Sequence, residues 1–128
     1  MDKNMSYQSP SPLRTKSRNF AIRIIKLYQT LRTEKKEYIL SNQILKSGTS
    51  IGANIAESEC AFSKKDFLAK VYIALKECNE TLYWLDLLHE TGYLTEEGFR
   101  SLWMDCNELR KMLSATTKTV SEHLEAEK

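Results

Sequence analysis

Apolar side chains recur at steps of three and four along most of the chain and do not alternate one by one, so the pattern predicts α-helices rather than strands. Phe20, Ile24, Leu27, Tyr28 and Leu31 fall on one side of a first helix expected over Ser17 to Thr33, which leaves Arg23 and Lys26 on the opposite, solvated side. Leu40, Ile44, Ile51 and Ile55 make the stripe of a second helix over Glu37 to Ser58, beside a row formed by Gly48, Gly52 and Ala56. A glycine inside a helix costs about 1 kcal/mol against alanine, so two of them one turn apart predict the close approach of another helix backbone.

The third helix has a local start signal. Ser63 is placed to cap it and Asp66 follows three residues later, at the positive end of the helix dipole. Phe67, Val71, Ala74, Leu75, Cys78, Leu82 and Leu85 carry its stripe to about Glu90, while Tyr72 and Trp84 point away from it, as expected of a helix with more than one neighbour. Gly92 suits a left-handed terminating position. Thr95 then caps a fourth helix, with Glu96 and Glu97 in its first turn and Phe99, Leu102, Trp103, Cys106, Leu109, Leu113 and Val120 on its apolar side.

Four long elements with short links predict an all-α, antiparallel up-and-down four-helix bundle over residues 17–120. Residues 1–16, rich in Ser, Pro, Gln and Asn, read as a flexible leader, and residues 121–128, with Glu122, Glu125 and Glu127, as a short acidic tail. Composition agrees. A chain of 128 residues suits one domain, and its four Gly and two Pro leave few turns. The first residues lack the apolar core of a signal peptide and no stretch is apolar enough to span a bilayer, so a cytoplasmic location is expected. Cys60, Cys78 and Cys106 have neither zinc-site nor disulfide-framework spacing and read as reduced thiols, with Cys78 and Cys106 in the core.

Charge changes the picture more than composition does. Met1 to Lys46 holds ten basic against three acidic residues, so this part carries +7 and the remainder −5 of a net +2. Arg14, Lys16, Arg18, Arg23, Lys26, Arg32, Lys35 and Lys36 are therefore candidate phosphate contacts. No exposed aromatics are evident among them for stacking bases, and the same residues read equally well as a solvated face.

Catalytic readings find little material. Asp86 and His89 come nearest to the Glu-x-x-His pairs of metal-carboxylate bundles, but no second pair exists, and the other histidine, His123, lies in the expected tail. No metal site, no cofactor and no small-molecule substrate are expected. Phosphate-binding glycine fingerprints are absent, and Ile44, Ile51 and Ile55 stay in helical phase through Ser47-Gly48-Thr49-Ser50-Ile51-Gly52-Ala53-Asn54-Ile55-Ala56-Glu57, where a phosphate loop would break it. Close helix packing, with Asn54 and Glu57 in polar contacts, is the expected use of that segment.

The same segment, followed by Lys65-Asp66-Phe67 and the Gly92-Tyr93-Leu94 turn, resembles the bacterial four-helix-bundle proteins encoded in intervening sequences of 23S ribosomal RNA genes. The resemblance covers about Phe20 to Val120 and departs at Ser58, where the family usually has Gly. It implies a homo-oligomer, typically a pentameric ring, and no enzymatic activity. Accessory variability proteins of diversity-generating retroelements are similar in fold, which implies a nucleic acid or a reverse transcriptase as partner. On the motif, Gly48, Gly52, Asn54 and Glu57 are expected as structural or interface residues. The leading expectation is a non-catalytic oligomer that associates with RNA or a ribonucleoprotein through its basic surface; the rival is a protein-binding scaffold or adaptor with no nucleic-acid role.

Overall fold

The computed structural model describes residues 11–128 and contains four helices: α1 (Pro12–Thr33), α2 (Leu40–Ser58), α3 (Lys64–Glu90) and α4 (Glu96–Ala126). Consecutive helices run antiparallel and pack side by side, and α1 returns to α4 to close the bundle; this last seam is the lightest of the four. Phe20, Ile24 and Leu31 from α1, Ile44, Ile51 and Ile55 from α2, Val71, Cys78, Leu85 and Leu88 from α3, and Leu102, Cys106, Leu109 and Leu113 from α4 form one continuous core.

Both ends of the expected bundle shift outward. The leader was expected to reach residue 16; its first ten residues lie outside those described, but the helix begins at Pro12. Ser11 accepts a hydrogen bond from the Arg14 backbone N–H (3.1 Å), and Pro12 occupies the first helical position, where its missing N–H costs nothing. The expected acidic tail is helical as far as Ala126. No glycine or proline follows Val120 to stop the helix, and Glu127 at the end of α4 pairs with Lys64 at the start of α3.

The start of α2 is displaced inward for a different reason. Expected at Glu37, it begins at Leu40, because the Glu37 side chain serves the helix from outside: its carboxylate accepts from the backbone N–H groups of Ile39 (3.2 Å), Leu40 (3.0 Å) and Ser41 (2.7 Å). Ile39, at the N-cap position, supplies no side-chain bond of its own. We expect Glu37→Ala to lower the free energy of unfolding by about 1 kcal/mol, the usual worth of a cap. Urea unfolding with an unchanged midpoint would contradict that role. The far end of α2 closes without a glycine: the N–H groups of Cys60 and Ala61 reach back three residues to Glu57 and Ser58, while buried Ser58 donates to Ile55 O (2.6 Å).

The starts of α3 and α4 fall where local chemistry placed them. Ser63 accepts from Asp66 N at 3.0 Å, Thr95 accepts from Gly98 N at 3.0 Å, and Gly92 adopts φ +87° between the two helices. Across the α2–α3 seam, buried Thr81 Oγ1 lies 2.9 Å from Ser47 Oγ and 2.8 Å from Glu77 O. Each hydroxyl has one proton, so Ser47 donating to Thr81, and Thr81 to the Glu77 carbonyl, satisfies both groups in an otherwise apolar layer.

Candidate nucleic-acid interface

A helix of 22 residues spans about 33 Å, so the eight basic candidates, carried by α1 and the turn after it, cannot share one small site. The fold divides them. Arg14 pairs with Glu59 (3.0 Å), Lys16 with Glu108 (3.2 Å) and Arg23 with Asp105 (2.6 Å), each reaching to another helix or its end. Arg23 was expected on the solvated side; instead its guanidinium lies across the α1–α4 seam, where it also donates to Ser101 Oγ at 2.9 Å. These side chains remain 36–51% exposed, so each pair contributes no more than about 1 kcal/mol, but their charge is matched locally.

Arg18, Lys26, Lys35 and Lys36 form no ion pair among the described residues, and all four are exposed. Lys35 and Lys36 lie in the α1–α2 turn, where Glu37 N bonds back to Leu31 O at 2.9 Å and Lys36 takes a left-handed φ of 56°. A side chain there costs roughly 1 kcal/mol that glycine would avoid. The same turn brings Tyr38 against Arg32, whose guanidinium lies over two phenol rings, 5.3 Å from the centre of Tyr28 and 4.9 Å from that of Tyr38. The α1–α2 corner thus combines Arg32, Lys35 and Lys36 with a half-exposed aromatic ring. The expectation that no exposed aromatic accompanies the basic residues is corrected here. Tyr38 follows Lys36 by only two residues, but its place beside Arg32 depends on the chain reversing between them.

Of the motif residues, the two glycines face another helix, Asn54 is half-buried and Glu57 is exposed. A Cβ on Gly48 would lie 2.8 Å from Ile24 Cγ1 and 2.9 Å from Cγ2, while one on Gly52 would meet the Ser17 carbonyl oxygen and Oγ at 3.4 Å. The glycine row therefore faces α1, as close helix approach requires. Asn54 Nδ2 donates to Ser50 O (2.9 Å) on its own helix, and Glu57 pairs with Lys70 of α3 (3.4 Å).

Groups that resemble catalytic constellations have other uses. His89 Nε2 lies 2.9 Å from Glu96 Oε1, and its ring stacks on Phe99 at 4.2 Å. Arg100 holds the other Glu96 oxygen at 2.8 Å, so the group clamps the α3–α4 turn, and no hydroxyl or thiol joins it among the described residues. Burial first, and the neighbouring Glu80 carboxylate second, hold Glu77 above the usual carboxylate range, while Glu80 itself accepts from Trp84 Nε1 at 3.1 Å. Cys78 and Cys106 are buried; the hydrogen bond to Cys78 and then burial push the Cys106 thiol up, which leaves it a poor nucleophile. No group of three or more metal-ligating side chains occurs among the described residues, and no helix there is long and apolar enough to cross a membrane.

The family model for the 23S rRNA-intervening sequence protein matches residues 12–115. The chain is also similar to a crystal structure of a protein of unknown function from the S23 ribosomal protein family of Bacteroides thetaiotaomicron, with 52% identity, a TM-score of 0.82 and coverage of 83% of this chain and 98% of that one. No match is found among curated proteins. The match over nearly the whole bundle means that the chain belongs to the 23S rRNA-intervening sequence protein family.

Proposed function

We propose that this protein is a non-catalytic cytoplasmic homo-oligomer that associates with RNA or a ribonucleoprotein through the outer side of α1 and the α1–α2 corner. The observation that carries the reading is that corner, where Arg32 lies over an exposed aromatic ring and Lys35 and Lys36 stand in the same turn, with Arg18 and Lys26 elsewhere on α1. A charge-dominated contact of this kind weakens steeply with salt. Affinity for a structured RNA is expected to fall at least tenfold between 50 and 200 mM salt, and to fall further when Arg18, Lys26, Lys35 and Lys36 are all replaced by Gln. Fluorescence anisotropy measures both. Affinity that is indifferent to salt and to the four substitutions would sink the reading.

Self-association is supported by apolar side chains left outside the bundle on three helices: Ile22 and Ile25 on α1, Tyr72 and Ile73 on α3, and Trp103 and Met104 on α4. The family resemblance favours a pentamer, and a ribonucleoprotein built on a reverse transcriptase is one partner that it suggests. Light scattering that returns a monomer at micromolar concentration would overturn this part.

The rival reading, a protein-binding scaffold, is favoured by Phe62, 90% exposed in the α2–α3 connection, and Ile39, 74% exposed beside Tyr38. Under it, the four-Gln protein keeps its partner.

A further inference from the structure

We infer that the α1–α2 corner takes an unpaired nucleotide of single-stranded RNA, with the base stacked on Tyr38 and the flanking phosphates against Lys35 and Lys36. The inference rests on the nucleic-acid role proposed above and specifies the form of nucleic acid that the corner reads. Tyr38 is 48% exposed, and the Arg32 guanidinium lies 4.9 Å from its ring centre. Arg32 is held in turn by Tyr28 one turn earlier on α1, so the Tyr38 ring is positioned before any ligand arrives and little freedom is lost on binding.

The charges around the ring favour a phosphate chain. Lys35 and Lys36 stand three and two positions before it in the same turn, and the left-handed backbone at Lys36 keeps a cation where glycine would fit more easily. Of the two acids in the turn, Glu37 directs its carboxylate into three backbone N–H groups of α2, which offsets its charge locally; Glu34 is exposed. An exposed ring offers nothing to a base already stacked within a duplex, whereas every unpaired base has a free π-face. An exposed aromatic ring in a turn that also carries two lysines therefore suits a single strand.

The test uses the full chain, an oligoadenylate of about 12 nucleotides and a blunt-ended RNA duplex of similar charge, compared by fluorescence anisotropy. Tyr38→Ala is expected to weaken binding of the single strand roughly tenfold and to change duplex binding less than twofold, while Tyr38→Phe preserves both. Replacing Lys35 and Lys36 by Gln should reduce the salt slope for the single strand by about 1.4, or about 0.7 for each phosphate contact. With the unaltered protein, photocrosslinking to an oligonucleotide containing 5-iodouridine should place the adduct on the Tyr38 peptide. Equal losses on strand and duplex, or an adduct confined to other peptides, would overturn the inference and leave the broader RNA reading intact. Failure to bind either RNA at 50 mM salt would overturn both.

Discussion

Truncation of Phe20 to alanine is expected to cost about 3–5 kcal/mol, the range for deleting a large buried aromatic side chain. Phe20 is 2% exposed and lies in the core cluster, where it is among the largest fully enclosed side chains. Its position on α1 makes the loss more consequential than the volume alone suggests. The α1–α4 seam is the lightest in the bundle, and its polar links, Arg23 to Asp105 and Lys16 to Glu108, are exposed pairs of small net worth. Apolar anchoring by Phe20, Ile24 and Leu31 must therefore hold α1 in place. Since a domain of this size is stable by only about 5–15 kcal/mol, the variant should unfold at a much lower urea concentration and be near its melting transition at physiological temperature. A cost below 1 kcal/mol would mean that α1 does not pack as described.

The second large effect concerns the glycine row and separates its two members. Gly48→Ala is expected to destabilise by about 1–3 kcal/mol even though alanine is the better helix former, because the added methyl would sit under 3 Å from both γ-carbons of Ile24. Those carbons branch next to the α1 backbone and have little freedom to move aside. Gly52→Ala meets only ordinary contacts at 3.4 Å, so the gain in helix propensity, up to about 1 kcal/mol, should survive. A larger Gly52→Leu side chain still has to displace Ser17, at a cost of about 1–3 kcal/mol. A double-mutant cycle makes the mechanism testable: in an Ile24→Ala background the two contacts under 3 Å are gone and only the 3.2 Å approach to Cβ remains, so the penalty for Gly48→Ala should fall sharply. Two alanine variants with the same stability would refute the assignment of close packing to Gly48.

How much of this was legible in advance depends on whether the physics is local. The starts of α3 and α4 could be read directly, because Ser63 and Thr95 act on backbone groups three residues away, and Gly92 supplied a conformation that few other residues adopt. The signal for α1 was equally local, since Ser11 and Pro12 form an N-cap and first-turn pair, but the polar composition around them obscured it. Glu37 misled for the opposite reason: a carboxylate just before a stripe reads as its first turn, whereas here it caps from outside.

The candidate interface was legible only in outline. The excess of positive charge in the first third is a property of the chain alone, and so is the family motif. Which cations remain available is not, because Asp105 and Glu108 lie more than eighty residues from the arginine and lysine they neutralise. In the same way, the aromatic partner of Arg32 required the turn that folds Tyr38 back onto α1.

By itself the sequence determined the helical class, the number and order of the helices, the buried stripes and the family, because periodicity and capping act within a few residues. Only the tertiary structure decided that Gly48 is tight and Gly52 is not, that Arg23 belongs to a seam rather than to solvent, and that Arg32, Lys35, Lys36 and Tyr38 share one corner. Each of those outcomes depends on distances between side chains of different elements, and such distances exist only once the helices have packed.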